Sequence, residues 1–461
     1  MRGKVWRKAC FVCVAWGLVA LSAGQAPRQD VTAWAARLGL QPVWSLPLSR
    51  PDPRDSVLAA QLLDSDLLLV QMRSAVMLAV DAQTGLVKWR ASVGKPYQTY
   101  QRPAIAATRM VIVPADLSLI GLERQSGVVL WRVELRDLPE SAPACDDWQL
   151  AVCEGTTRMR CLFVPDIERL LATGTTGVAA QTKPAGRSVY DGGVSSYEIR
   201  RQTLREPARL WDFDDPAGIA MPPVCAHHVD VVFVNREGKL RVVSSLQHQI
   251  AGEWQLPAGA SAPMTFRLIQ RPGEQVASWE SWLIVPCQDR AVYAFLLQQG
   301  KPAPAWQRVL GDSAHSAPVM LGQEVFVATN QRGLFCLDRD SGQIRWQQFE
   351  ARKFLSASPR MVLAMDRQGQ MLALNRRDGR VLAAVRLDGN VLAIPNSFTD
   401  RLYLLDASNH LHCLRDRDPQ CAQVQVYHRL LFTPPPQQEK KSDENPEEKP
   451  EGQPGENKQA D

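Results

Sequence analysis

Ala79-Val-Asp81-Ala-Gln-Thr-Gly85-Leu-Val-Lys-Trp89 decides how this chain is read. An acid is followed by Gly four positions later and by Trp four positions later again. The spacing recurs in Glu123-Arg-Gln-Ser-Gly127-Val-Val-Leu-Trp131 and in Asp338-Arg-Asp-Ser-Gly342-Gln-Ile-Arg-Trp346. A weaker copy, Asn375-Arg-Arg-Asp-Gly379-Arg-Val-Leu-Ala383, ends in Ala. The Asp accepts hydrogen bonds from backbone N–H groups just ahead, and Gly supplies a left-handed φ without steric cost. A short Gly-containing loop between two apolar runs is a hairpin, and the Trp lies on its outgoing strand. One such stretch would be an ordinary hairpin with a core Trp. Four in one chain are a repeated supersecondary unit.

Prolines give the period. Pro103, Pro143, Pro223, Pro263, Pro318, Pro359 and Pro395 precede apolar runs at intervals close to 40 or its double, apart from one of 55. Proline suits the first residue of a strand, where no ladder bond is yet needed. Trp211, Trp254 and Trp306 then take the outgoing-strand place in units whose Asp and Gly have drifted. Units fall at 55–95, 97–136, 140–216, 219–257, 260–311, 313–351, 353–389 and 390–430. The last has three strands and no Trp at the expected place. The segment around Trp44 has a Trp and no preceding strands. Together they make one unit, so the N-terminal strand is expected to close a ring and leave no free edge.

Four short strands at a period near 40 specify an all-β, eight-bladed β-propeller of four-stranded antiparallel blades, with seven the count if the last unit is misread. The Ala-Val-Asp81-Ala-Gln-Thr-Gly85-Leu-Val-Lys-Trp89 stretch resembles the docking motif of the quinoprotein (pyrroloquinoline quinone, PQQ-like) propellers, over most of 42–430. That superfamily includes PQQ-dependent alcohol and glucose dehydrogenases. It also includes a cofactor-free scaffold group, exemplified by the B subunit of the bacterial outer-membrane β-barrel assembly machine. The repeat implies a fold and leaves the activity open. Asp81, Gly85, Trp89, Gly127, Trp131, Trp211, Trp254, Trp306, Asp338, Gly342, Trp346 and Trp44 are expected to dock blades together.

The two ends differ from this body. Residues 1–26 combine a basic start, an apolar run from Ala9 to Leu21 and small residues after it, which is a secretory signal pattern. Cys-Phe-Val precedes Cys13, which is not a lipid-attachment sequence, so an exported, periplasmic or cell-envelope protein is expected without a lipid anchor. Residues 27–41 are a lead-in, and 42–432 form the propeller. The acidic tail 433–461 holds nothing that could offset its ordering entropy of roughly 1–2 kcal/mol per residue. The formal charge of +5 is diffuse, which argues against a nucleic-acid partner.

Most of the eight cysteines beyond the signal fit the repeat as small buried residues. Cys336 and Cys413 stand where other units have Ala79, Gly121, Ala294 or Ala373. Cys153, Cys161 and Cys421 have no such explanation, and a Cys153–Cys161 bridge stays open.

Catalytic signatures are sparse. Alcohol-type quinoprotein dehydrogenases resemble one another in a disulfide between adjacent cysteines over the cofactor, and this chain has no Cys-Cys pair. No cofactor is therefore expected. His410 and His412 share a strand face but are too few for a tight metal site. No nucleophile elbow or phosphate loop occurs. The favoured expectation is a non-catalytic scaffold, monomeric and at most membrane-peripheral, that binds an envelope protein, with outer-membrane protein assembly the most specific form. The alternative is a quinoprotein oxidoreductase or a small-molecule site. The loops around Arg187 and Trp279 are the candidate interaction elements.

Overall fold

The computed structural model describes residues 31–48, 55–96, 104–164, 207–226, 230–270, 279–387 and 391–428. The signal segment, Arg187 and the acidic tail lie outside these.

Eight four-stranded antiparallel sheets follow one another. Blade 1 comprises Val57–Leu62, Leu67–Met72, Val76–Asp81 and Val87–Ser92. Its middle strands are buried almost throughout, because each blade is sandwiched between two others. First strands of blades 2 to 6 touch in succession, as do those of blades 8 and 1, so the first strands line the ring's centre. The apolar core is divided to match. Eight clusters of buried side chains each mix residues of two neighbouring blades, one cluster per blade interface.

Closure is made by distant parts of the chain. Strand Leu40–Pro47 pairs antiparallel with His410–Asp416 and completes blade 8 after Leu392–Ile394 and Leu402–Leu405. Trp44 stands opposite Cys413. The ring therefore has eight blades, with its N-terminal strand as the last outer strand. This strand begins two residues before the expected boundary at 42. The lead-in before it holds a short helix, Val31–Arg37.

Two prolines do not open strands. Pro359 sits in the turn between Ala351–Ala357 and Met361–Asp366, and Pro395 directly follows Leu392–Ile394. Their spacing agrees with the repeat, but their place is the first turn of the blade. Proline fits there as well, since its fixed φ is suited to turns and no ladder donor is lost.

Because every blade has the same strand order, first-to-second and third-to-fourth turns share one face of the ring. Second-to-third turns and inter-blade links share the other. A chain lacking residues 31–48 would expose His410–Asp416 as an open edge. It is expected to lose more stability than the about 3–5 kcal/mol of one buried Trp truncation, and to self-associate. Denaturant melts and light scattering check this; a stable monomer would refute closure.

Candidate interaction face and the blade clasp

The Asp-x-x-x-Gly turn is a compact hydrogen-bonded unit. The Asp81 carboxylate accepts from Gln83 N at 3.0 Å and Thr84 N at 2.9 Å, and Gly85 N donates to Asp81 O at 2.8 Å. Burial pushes Asp338 up, but hydrogen bonds from Arg345 and Ser341 outweigh it and hold the carboxyl at about 2.

Each turn receives the Trp of the preceding blade. Trp44 Nε1 donates to Ala82 O at 3.1 Å, Trp89 to Arg124 O at 2.8 Å, Trp306 to Arg339 O at 2.5 Å and Trp346 to Arg376 O at 2.8 Å. The acceptor is always three residues before the turn glycine. The indole lies flat over that glycine. A Cβ built on Gly85, Gly127, Gly342 or Gly379 would come within 2.5–2.6 Å of ring carbons of Trp44, Trp89, Trp306 or Trp346. All four glycines have positive φ, so two independent constraints select Gly.

Behind each Trp, on its own blade, the facing residue of the third strand is small. Ala79, Gly121, Ala294, Cys336 and Cys413 stand opposite Trp89, Trp131, Trp306, Trp346 and Trp44. Cys161 stands opposite Trp211 and belongs to the same set. The register of blade 3 is interrupted by the connection 164–208, which concealed this in the sequence. Cys153 and Cys161 are free, buried thiols. They face Met159 and Ala151 rather than each other.

Three blades vary the clasp. Trp131 faces blade 3, whose third-to-fourth connection is that long segment. Its indole is fully buried and donates to Met110 Sδ at 3.3 Å. Trp211 Nε1 donates to Ser245 Oγ at 2.9 Å in the turn of blade 4, where His248 takes the left-handed place of Gly. Trp254 is not at the docking position. Gly252 occupies it, opposite Val242, while Trp254 pairs with Leu240 and packs edge-on to Phe295. The reason is the two-residue turn Gln299-Gly300 of blade 5, whose backbone approaches Gly252 too closely for any side chain.

Arginines in the turns extend the clasp, a role that sequence reasoning missed. Arg124 donates to Ala107 O of its own blade at 3.2 Å and to Asp64 of blade 1 at 2.8 Å, and also pairs with Asp66. Arg376 donates to Ser358 O at 2.8 Å, Glu324 of blade 6 at 2.7 Å and Tyr427 Oη at 3.1 Å. Arg339 lays its guanidinium over the Trp282 ring of blade 5 at 5.5 Å.

The same face carries exposed apolar side chains over blades 3 to 5. Trp148 (49 % exposed) and Phe163 form a ring pair at 6.2 Å where the 164–208 connection begins. Leu246 (75 %) caps the turn of blade 4, and Trp279 (59 %) begins the second strand of blade 5. Trp279 was singled out in the sequence; Trp148 was not, because nothing in the repeat distinguishes a turn Trp.

Over blades 6 and 7 this face holds a groove of about 420 Å³, lined by Arg345, Arg376, Arg377, Glu324, Gln425 and Tyr427 among others. The last described residues run along it. Tyr427 Oη donates to Ala357 O at 3.0 Å, and His428 stacks on Phe398 at 5.6 Å.

Titratable groups offer little chemistry. Burial pushes the thiols of Cys153, Cys161, Cys336 and Cys413 up to about 12, which makes them poor nucleophiles. His410 and His412 stack at 6.1 Å and share Asp406. Among the described residues no group of three or more His, Cys, Asp or Glu is placed to hold a metal.

His428 is different. Burial, with Arg267 nearby, pushes it from 6.5 down to about 3. Its folded value lies below its unfolded one, so its contribution is complete above pH 6.5 and is lost as pH falls toward 3. The Asp turns are depressed below 3.8 and hold to lower pH. Amide exchange over residues 423–428, corrected for intrinsic rate, should therefore accelerate between pH 7 and 4.5 while the turn glycines stay protected. Equal protection at both pH values would contradict this.

A family profile described as outer membrane protein assembly factor BamB matches residues 27–161, 186–348 and 251–394, well over half of the chain. No curated protein matches. Among solved structures, BamB from Moraxella catarrhalis is similar with a TM-score of 0.54 at 13 % identity, covering 82 % of this chain and 98 % of that one. The quinohemoprotein alcohol dehydrogenase from Comamonas testosteroni gives 0.52 at 10 % identity, covering 84 % and 78 %. The C-terminal WD40 domain of Sif2 gives 0.54 at 9 %, covering 82 % and 98 %. At these identities the likeness is one of fold, and it joins BamB, a WD40 domain and an alcohol dehydrogenase alike.

Proposed function

The chain belongs to the family described as outer membrane protein assembly factor BamB, and from that premise we propose that it is a non-catalytic extracytoplasmic scaffold. It binds a protein of the cell envelope, in outer-membrane protein assembly in the most specific form of the reading. The observation that carries the reading is the arc of Trp148, Phe163, Leu246 and Trp279 on one face. Exposed aromatic anchors held on rigid strands and short turns lose little entropy on binding and commonly dominate interface energies. Export rests on the basic and apolar N-terminal sequence. A quinoprotein activity lacks the adjacent cysteines of the alcohol dehydrogenases, and the described thiols are all free.

The test compares full-length protein with the Trp148→Ala/Trp279→Ala double variant in capture from envelope extracts. The wild type should retain a discrete partner. The variant should lose at least about a hundredfold in affinity, as expected for two truncated hot-spot residues at roughly 2 kcal/mol or more each. Undiminished capture would sink the role of this face. Dye-linked alcohol or sugar oxidation after loading with PQQ and Ca²⁺ would overturn the non-catalytic reading.

A further inference from the structure

The described chain ends near Arg267, an arginine without an acidic partner among the described residues. His428, the last described residue, lies close enough to Arg267 to feel its charge. Arg267 donates only to the carbonyl of its neighbour Phe266, and its buried Nε has no partner. An uncompensated guanidinium in a partly buried setting is unfavourable. Gln425 and Tyr427, just before the exit, line the groove that also holds Arg345, Arg376 and Arg377. Arg345 and Arg376 are paired with Asp338 and Glu324. Arg377 and Arg380 are exposed, with no ion-pair partner for their side chains among the described residues.

Basic charge is concentrated in this blade. Residues 351–387 hold eight Arg and Lys against two Asp, whereas 313–350 hold three Arg against four acids. Four of the eight lie on the turn face beside the groove: Arg360 and Arg376, paired with Asp416 and Glu324, and Arg377 and Arg380, unpaired among the described residues. Beyond the exit, residues 439–461 hold eight carboxylates and four lysines. The ten intervening residues can span up to about 35 Å when extended, more than enough to return to the groove.

We propose that the acidic C-terminal segment 439–461 docks back on the arginine surface of blade 7, at the groove beside Arg377 and Arg380. There it supplies the missing carboxylates and competes with any acidic segment of a partner. This does not rest on the proposed assembly role, and concerns a different part of the face from the aromatic arc. Tethering makes the contact intramolecular, so individually weak ion pairs act at the millimolar effective concentration typical of a short linker. Lys440 and Lys441 stand at the start of the segment, which leaves most of the acids beyond them.

The experiment attaches a fluorophore to the C-terminus of the full chain and reads its anisotropy. The wild type should be restrained at low salt and released near 1 M salt, where the screening length falls to about 3 Å. Arg377→Glu/Arg380→Glu should release the tail at low salt, with thermal unfolding unchanged because both side chains are exposed. A control reversal at exposed Arg90 and Arg73 of blade 1 should leave it restrained. Replacing the eight tail acids by Gln and Asn should match the double variant. A wild-type tail equally mobile at all salt concentrations overturns the proposal. So does a tail released as readily by the blade 1 control, or one unaffected by the blade 7 variant.

Discussion

Four of the eight blade interfaces are set by an indole laid over a glycine of the next blade, and the other four are departures from that contact. A propeller has no single core. Its apolar layers lie between blades, so each interface must fix both the distance and the rotation of two sheets. Side-chain burial supplies the larger energy and is non-directional. The Trp supplies direction. Its flat ring requires a neighbour without a Cβ, and its N–H must find one carbonyl three residues earlier in the same turn. A sheet shifted by one residue would fail both conditions, and would turn its buried side chains to the wrong face.

The departures from this arrangement follow from what each Trp would have to meet. Blade 7 ends in Ala383 because blade 8 has no covalent third-to-fourth turn; its outer strand arrives from the N-terminus. Helix Val31–Arg37 packs there instead, and Trp34 and Ala35 join the cluster that includes Ala383 and Val385. An indole on the preceding strand would have no glycine turn to cover. In blade 4 the short turn of blade 5 moves backbone into the space of the ring, and Gly252 replaces it. Turn arginines add a polar layer outside the indoles. Arg124 and Arg376 each tie two blades through carbonyls and carboxylates, and these pairs are sheltered enough to keep more of their strength than open surface pairs.

How much was legible followed the repetition. Asp81, Gly85 and Trp89 recur with fixed spacing, so fold, blade number and closure through Trp44 could be read from the sequence. Cys336 and Cys413 were placed by register alone. Cys161 was missed because the 164–208 connection breaks that register. Trp254 was misplaced because a Trp two residues further along has the same composition but a different partner. Pro359 and Pro395 kept the period while moving into turns, since proline suits both places. The proposed interaction face was least legible. Trp148 and Leu246 come together only through ring geometry, and Arg377 lies by the chain exit only because Gln425 and Tyr427 return over blade 7. Nothing periodic marks such residues.

The clasp account is tested most directly by comparing Gly342→Ala with Gly369→Ala in equilibrium unfolding. Both glycines have positive φ, +65° and +79°. A Cβ at Gly369 meets nothing within 4 Å, whereas one at Gly342 would lie 2.5 Å from the Trp306 ring. Gly369→Ala should cost about 1 kcal/mol, the usual strain of a left-handed Ala. Gly342→Ala should cost several times more, and the excess should shrink in a Trp306→Ala background because the two residues act as one unit. Equal losses for the two glycine variants, or strict additivity with Trp306→Ala, would contradict the claim that this contact sets the spacing of the blades.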